Sequence, residues 1–235
     1  MELTKDKWEQ DDIEKFLKYL NTFSKGEEKG KWEQRIVNTS LPCIAVPCTA
    51  IKQITNQIAK GNFLEFIDLW IWDNFSAVSI IGNLICKIKD FDTLSKYLDI
   101  YSSKVDNWAH CDLLKFKDIK LQKPLFDLSK RYLKSPLPFQ RRIALIILLK
   151  FINDDTIDYI LKVTNSLQSE TNYYVNMANA WLVCECFTKQ KDKTFVMLEK
   201  HHLNSFTINK AISKCRDSFR VSREDKAKLL QFKIK

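Results

Sequence analysis

Apolar residues recur at helical spacing along nearly the whole chain. In residues 8–23, Ile13, Phe16, Leu17 and Leu20 form one stripe among charged positions. This is the pattern of an amphipathic helix that packs on a core. Similar patterns predict helices at residues 32–37, 49–60, 62–72, 75–89, 92–101, 106–116, 121–133, 139–151, 173–187, 193–200, 205–216 and 222–232.

Helix start and stop signals accompany these patterns. Gly61 is a stop signal for the helix that precedes it. Asp154 or Asp155 can cap a further helix that runs to residue 163. Ser222, followed by an acid three residues later, has the character of a capping box. The short stretches between these signals predict short connections, and the count reaches about a dozen helices.

Glycine and proline are scarce, with four and five residues in 235. Strand-rich folds need many turns, which favour both types, so the scarcity predicts an all-α fold of antiparallel helix pairs. Two architectures fit, a globular helical bundle and an α-solenoid of paired helices. No obvious repeat period separates the two. No segment is long and polar enough to divide the chain, so residues 1–235 are predicted to form one domain.

The net charge of +9 is unevenly distributed. Residues 189–235 hold 13 Lys and Arg against 5 Asp and Glu, whereas the preceding 188 residues are nearly neutral. Clustered positive charge attracts phosphates, although a lysine-rich solvated surface has the same composition.

Seven cysteines, an odd number without a CxxC motif, fall mostly within apolar helical patterns. Such thiols act as small hydrophobes and are typical of a reducing cytoplasm. The charged first ten residues do not resemble a signal peptide, and the longest apolar run, 143–149, is too short to span a bilayer. The pairs Cys184/Cys186 and His201/His202 lack usable metal-ligand spacing. We therefore expect no membrane, metal or cofactor.

Trp108 and Asp112 lie four residues apart in a run that we predict to be helical. An indole and a carboxylate would then project from one face, one turn apart, an arrangement that suits a cation. A second tryptophan, Trp181, lies in an aromatic-rich helix. Taken alone, these residues also fit a packed core and a solvated acid. His110 falls off the Trp108–Asp112 face, which favours a structural or surface role, and Trp70 and Trp72 are assigned to packing.

Three co-linear motifs carry a family resemblance: NWAHCD at 107–112, FQRRIA at 139–144 and YYVNMANAW at 173–181. With the tail 209–221, they make residues 45 to the end similar to the AlkD-like DNA alkylation repair family. The resemblance implies a C-shaped solenoid of HEAT-like repeats, with residues 1–40 as divergent N-terminal helices. It also implies a glycosylase that releases N3- or N7-alkylated purines from double-stranded DNA, acting as a monomer without a cofactor.

The same resemblance assigns roles to individual residues. Asp112 would stabilise the developing positive charge, and Trp108 and Trp181 would flank the lesion. Arg141 would contact a phosphate, and its neighbour Arg142 is an equal candidate. The expected DNA-binding residues in the basic tail are Lys210, Lys214, Arg216 and Arg220.

Three departures from the family pattern keep other functions open. Cys184 stands where active members carry an arginine, Ser76 stands where an acid is expected, and the N-terminal part leaves little room for a long second helix. A non-catalytic protein that binds duplex or branched DNA is therefore the main alternative. A protein-binding solenoid is the third.

Overall fold

The computed structural model describes residues 1–234, and every regular element in this range is helical. It contains fourteen α-helices and three short 3₁₀-helices, with no strand among the described residues. The predicted all-α class is therefore confirmed. The chain forms two compact units, which we name unit 1 (Met1–Gln122) and unit 2 (from Lys123 onward).

Unit 1 is built around one buried helix. Its α-helices are α1 (Asp11–Asn21), α2 (Glu27–Val37), α3 (Cys48–Ile58), α4 (Phe63–Asp68), α5 (Phe75–Ile85), α6 (Phe91–Lys104) and α7 (Trp108–Asp112). Helix α5 contacts α1, α3, α4, α6 and α7. Because neighbours cover it on every side, α5 is apolar around nearly its whole circumference.

The helix predicted at residues 62–72 is wrong in its last part. Helix α4 ends at Asp68, and Trp70 has a left-handed backbone with φ of 44°. The rings of Trp70 and Trp72 stack with centroids 6.2 Å apart, and they contact Tyr97 and Tyr101. The assignment of both tryptophans to packing is confirmed.

Gly61 is needed for close packing rather than for a left-handed helix end. Helix α3 ends in a right-handed turn at Ala59. A Cβ atom at Gly61 would lie within 3 Å of the Lys5 backbone, and the carbonyl of Lys5 accepts a hydrogen bond of 2.7 Å from the amide of Asn62. Only glycine permits this approach of the N-terminal segment.

Unit 2 consists of successive antiparallel helices joined by short turns. They are α8 (Gln122–Tyr132), α9 (Pro138–Leu148), α10 (Ile157–Ser166), α11 (Tyr173–Lys189), α12 (Lys191–Glu199), α13 (Ser205–Asp217) and α14 (Arg223–Leu229). Helices α9, α11 and α13 pack side by side, and α10 packs on α11 and α12. This layered order is that of a helical-repeat solenoid.

The helix starts show which predicted caps form. Ser222 accepts a 3.0 Å hydrogen bond from the amide of Asp225, so this cap is confirmed. The prediction that Asp154 or Asp155 caps α10 is wrong: the side chain of Asn153 accepts from the amides of Asp155 and Thr156 instead. In the described residues, no helix has the length and apolar character required to cross a membrane.

Candidate functional site

The tryptophan–carboxylate pair lies on the short helix α7. Trp108 is its first residue and Asp112 its last, so the two side chains leave one face about one turn apart. Both residues are half-buried. The indole Nε1 of Trp108 donates to the carbonyl of Ile36, 3.4 Å away. The run is helical as predicted, but it is shorter than residues 106–116.

Asn107 and His110 fix the position of α7. The Asn107 side chain caps the helix by accepting from the amide of His110 at 3.0 Å, and its amide nitrogen lies 2.8 Å from Nδ1 of His110. Nε2 of His110 lies 3.0 Å from the carbonyl of Phe75 in α5. The two rings also stack, with centroids 4.4 Å apart. A five-residue helix is thus held firmly against the core of unit 1.

His110 is neutral in this environment. Its side chain is fully buried, and burial lowers the pKa of His110 from 6.5 to about 4. A neutral ring that donates from Nε2 to Phe75 accepts at Nδ1 from Asn107, so the contacts select one tautomer. His110 therefore has the structural role that the sequence favoured.

Asp106 connects α7 to the loop after α2. Its carboxylate accepts from the Thr39 hydroxyl at 2.7 Å and from the amide and hydroxyl of Ser40 at 2.7 and 2.8 Å. Burial alone would raise the pKa of Asp106, but hydrogen bonds from Asn107, Thr39 and Ser40 lower it below its usual value. Through these bonds the ionised Asp106 joins the start of α7 to the loop that follows α2.

The second tryptophan also has an acid one turn away. Trp181 and Glu185 are four residues apart on α11. Both Nη atoms of Arg220 donate to the Glu185 carboxylate, at 2.9 and 2.5 Å. The hydrogen bond from Arg220 lowers the pKa of Glu185, and a hydrogen bond from Trp181 contributes to the same shift. The predicted DNA contact Arg220 thus has an internal partner in unit 2.

Sequence reasoning missed Glu185, although a signal was available. The spacing Trp181–Glu185 repeats the spacing Trp108–Asp112. Cys184, which stands at the position of the family arginine, is buried against Cys215, and the two thiols share a hydrogen bond. Arg220 therefore brings a guanidinium to the residue next to Cys184.

Arg141 organises the start of α11. Its Nε and Nη2 donate to the two carboxylate oxygens of Glu170 at 2.7 and 3.0 Å. Nη1 donates to the carbonyls of Ser135 and Pro136 at 2.8 and 2.9 Å. Burial alone would raise the pKa of Glu170, but hydrogen bonds, with that from Arg141 foremost, lower it. Such fork-shaped pairing is a strong positioning contact.

Arg142 is also engaged inside unit 2. It is buried, and its Nη1 donates to the carbonyl of Tyr174 at 2.6 Å. Arg141 and Arg142 thus tie the start of α9 to the start of α11. A guanidinium with internal partners has fewer donors left for a phosphate. The phosphate contact of Arg141 or Arg142 stays a prediction.

The basic tail forms two adjoining surface hollows on α13 and α14. Their volumes are about 430 and 470 Å³, and both are lined by Ser213 and Arg216. The first hollow is also lined by Ser205, Phe206, Asn209, Lys210, Ile212 and Lys233. The second is also lined by Asp217, Arg223, Lys226, Ala227 and Leu230. Of the predicted DNA-binding residues, Lys210 and Arg216 therefore share one surface, and both are exposed.

Lys214 is half-buried on the same helix and does not line either hollow. Within residues 1–234, no group of three or more His, Cys, Asp or Glu side chains is placed to hold a metal ion. The lysine and arginine side chains that line this surface are suited to binding anions.

Comparison with known proteins identifies the family. The family described as DNA alkylation repair enzyme matches residues 10–215, a range that includes α7, α9, α11 and most of α13. Searches of curated proteins and of solved structures returned no match. Since the family match covers most of the chain, the protein belongs to the DNA alkylation repair enzyme family.

Proposed function

We propose that the protein is a DNA glycosylase that hydrolyses the N-glycosidic bond of cationic N3- or N7-alkylated purines in duplex DNA. The observation that carries this proposal is the Trp108–Asp112 pair, one turn apart on a helix that Asn107 and His110 hold in place. A carboxylate and an indole on one face of a positioned helix are suited to a substrate that is positively charged at one point.

In this reaction the main contribution of the protein would be electrostatic stabilisation of the positive charge that develops on the sugar. An alkylated purine is already cationic, so it leaves as a neutral base when the C1′–N bond breaks and its electrons pass to the base. Positive charge then develops on the sugar, where the Asp112 carboxylate would stabilise it. Water attacks C1′, and Asp112 would orient that water and accept its proton.

Duplex binding would depend on exposed cations of unit 2. Lys210 and Arg216 are exposed beside the first hollow, and such side chains bind backbone phosphates. Trp181 stays a predicted site residue on the strength of the family resemblance. Seven free cysteines fit a reducing compartment, in which we expect the protein to act as a monomer without a cofactor.

A duplex that carries one N7-methylguanine tests the proposal. The wild-type protein should generate abasic sites above the spontaneous rate, and Asp112→Asn should lower that excess by a factor of about 10²–10³. Asp73→Asn is the matched control, because Asp73 is an exposed acid of unit 1 outside α7. Equal release by wild type and Asp112→Asn would refute the role of Asp112.

The second candidate is a non-catalytic protein that binds duplex or branched DNA. Cys184 at the position of the family arginine, buried against Cys215, favours it. This function predicts salt-dependent DNA binding that Asp112→Asn leaves intact, with no base release by the wild type. Measuring binding and base release on the same duplex therefore separates the two candidates.

A further inference from the structure

Four aromatic rings form a row along the starts of three neighbouring helices in unit 2. Phe139 of α9 contacts Tyr174 of α11, with ring centroids 5.6 Å apart. Tyr174 contacts Tyr173 at 5.2 Å, and Tyr173 contacts Phe206 of α13 at 5.5 Å. We call these four residues the aromatic row. Each is the first or second residue of its helix, so the row follows one edge of the α9–α11–α13 layer.

Buried polar contacts hold this edge in place. The backbone carbonyl of Glu170 accepts from the side-chain amides of Asn176 and Asn204 at 2.9 and 3.4 Å. The Asn176 side chain in turn accepts from Asn204 and from the Thr207 hydroxyl at 3.1 and 3.0 Å. Because Arg141 also donates a hydrogen bond to the Glu170 carboxylate, α9, α11 and α13 are linked at the end where the rings lie.

Part of the aromatic row faces solvent. Tyr173 is 54% exposed, whereas Phe206 is half-buried and therefore retains some ring surface at the edge. These rings are packed on one side and open on the other. Because folding has already ordered them, little further conformational entropy is lost when a ligand stacks on them.

The row continues into the first basic hollow. Phe206 lines this hollow of about 430 Å³, and Nζ of Lys210 lies 6.0 Å from the Phe206 ring centroid. Arg216 and Lys233 line it as well, and its described lining contains no carboxylate. The occupant that suits this surface has a flat ring for the aromatic row and negative charge for the hollow.

We propose that this edge of unit 2 binds an unpaired nucleotide of a DNA strand. The base would stack on the exposed face of Tyr173 and contact Phe206, whose ring plane lies at 62° to that of Tyr173, and Lys210 and Arg216 would bind the adjoining phosphates. Aromatic side chains beside a cationic groove are the usual means of holding single-stranded nucleic acid, since every base has a face that can stack. Inside a paired duplex the bases stack on one another, so a duplex exposes a base face only at its two ends. The inference rests on the proposed DNA-binding function.

The experiment compares two labelled DNAs by fluorescence anisotropy at low salt. One is a blunt duplex, and the other is the same duplex with an unpaired single-stranded overhang. We expect the wild type to bind the overhang DNA at least fivefold more tightly. The double variant Tyr173→Ala/Phe206→Ala should lose this preference and keep its affinity for the blunt duplex within twofold.

Phe219→Ala is the matched control, because Phe219 is a fully exposed ring of unit 2 outside the row. It should leave the preference unchanged, and circular dichroism should show that all variants are folded. Equal wild-type affinities for the two DNAs would overturn the inference and leave duplex binding standing. Absence of binding to either DNA would overturn the proposed function as well, and tighter binding of an RNA overhang of the same sequence would overturn the assignment to DNA.

Discussion

The His110 ring lies against the Phe75 ring with their centroids 4.4 Å apart and their planes 21° from parallel. His110 also bonds through Nε2 to the Phe75 carbonyl. The same two residues therefore meet through a ring contact and a polar contact, and together they dock α7 onto the buried helix α5. We therefore expect protonation of this imidazole to weaken the attachment of α7 to α5.

The first prediction concerns pH. Burial lowers the pKa of His110 from 6.5 to about 4, so between these values the unfolded chain binds a proton that the folded protein excludes. The contribution of neutral His110 to stability is complete above pH 6.5 and is lost as the pH falls toward 4. Between pH 7 and pH 5 the free energy of unfolding should fall by roughly 2 kcal/mol from this group.

Urea unfolding at the two pH values measures this loss. In His110→Gln the drop should be smaller by about the same amount, because glutamine does not titrate. Because the wild type and His110→Gln both keep His201 and His202, the difference between their pH dependences belongs to His110. An unchanged pH dependence in His110→Gln would contradict the buried neutral imidazole.

The second prediction concerns Asn107. Asn107→Ala removes the α7 cap and the contact to Nδ1 of His110. We expect a loss of roughly 1–2 kcal/mol in unfolding free energy. Because α7 carries Asp112, base release should fall even though the carboxylate is still present. Chemical denaturation together with single-turnover release from an N7-methylguanine duplex measures both effects.

Asp90→Ala is a matched control for that cap. Asp90 caps α6 in unit 1 in the same manner, so its loss should cost a similar free energy, and α6 carries none of the predicted site residues. If both variants lose stability but only Asn107→Ala loses base release beyond its unfolded fraction, the effect belongs to α7. An equal fall in both would mean that stability alone accounts for it.

The third prediction concerns Arg141 and Glu170. Arg141→Gln leaves a largely buried carboxylate without its two-pronged partner, and Glu170→Gln leaves the guanidinium without its counter-charge. Each change should lower the unfolding free energy by on the order of 2–3 kcal/mol. The double variant should lose less than the sum, because the second change removes an already orphaned group.

Duplex affinity decides between the two roles of Arg141. If Arg141 positions the helices, folded Arg141→Gln should bind duplex DNA within about twofold of the wild type. A variant as stable as the wild type that binds at least tenfold more weakly would instead identify Arg141 as a phosphate contact.

The fourth prediction concerns the exposed cations. Lys210→Gln and Arg216→Gln should each weaken duplex binding to a similar extent for all sequences. Each should also reduce the slope of log affinity against log salt by about 1, because one phosphate contact is lost. Titrations at several salt concentrations measure the slope.

Lys228→Gln is the control for this series. Lys228 lies in unit 2, and its Nζ is 2.5 Å from Glu224 on the same exposed helix surface, so its charge is already paired. It should leave the salt dependence unchanged. An equal effect of all three substitutions would indicate net charge rather than the α13 surface.

Local patterns predicted the helices well because the apolar residues along the chain recur with the period of the α-helix, so that most helices have one face to bury. They failed where a distant contact decides a boundary or a role. The ring contacts of Trp70 with Trp72 and Tyr97 accompany a left-handed turn that ends the helix predicted to reach residue 72. Gly61, predicted to be a stop signal, is required by the Lys5 backbone 56 positions earlier.

The candidate site shows the same division. The Trp108–Asp112 pair follows from helix periodicity, since both residues lie on one short helix. The partner of Arg141 does not, because Glu170 is 29 positions away and only the packing of α9 on α11 brings them together. Single-sequence reasoning identifies the residue types of a site more readily than it identifies their partners.

The close approach at Gly61 has a consequence for synthesis on the ribosome. The backbone amide of Trp8 donates to Glu65, 57 residues further along, at 2.9 Å, and the Trp8 ring meets Phe66 with centroids 4.8 Å apart. At about 5–20 residues per second, Trp8 waits roughly 3–11 seconds after its own synthesis for these partners to be translated. During that interval Leu3 and Trp8, which are buried in the folded protein, lack the side chains on which they pack.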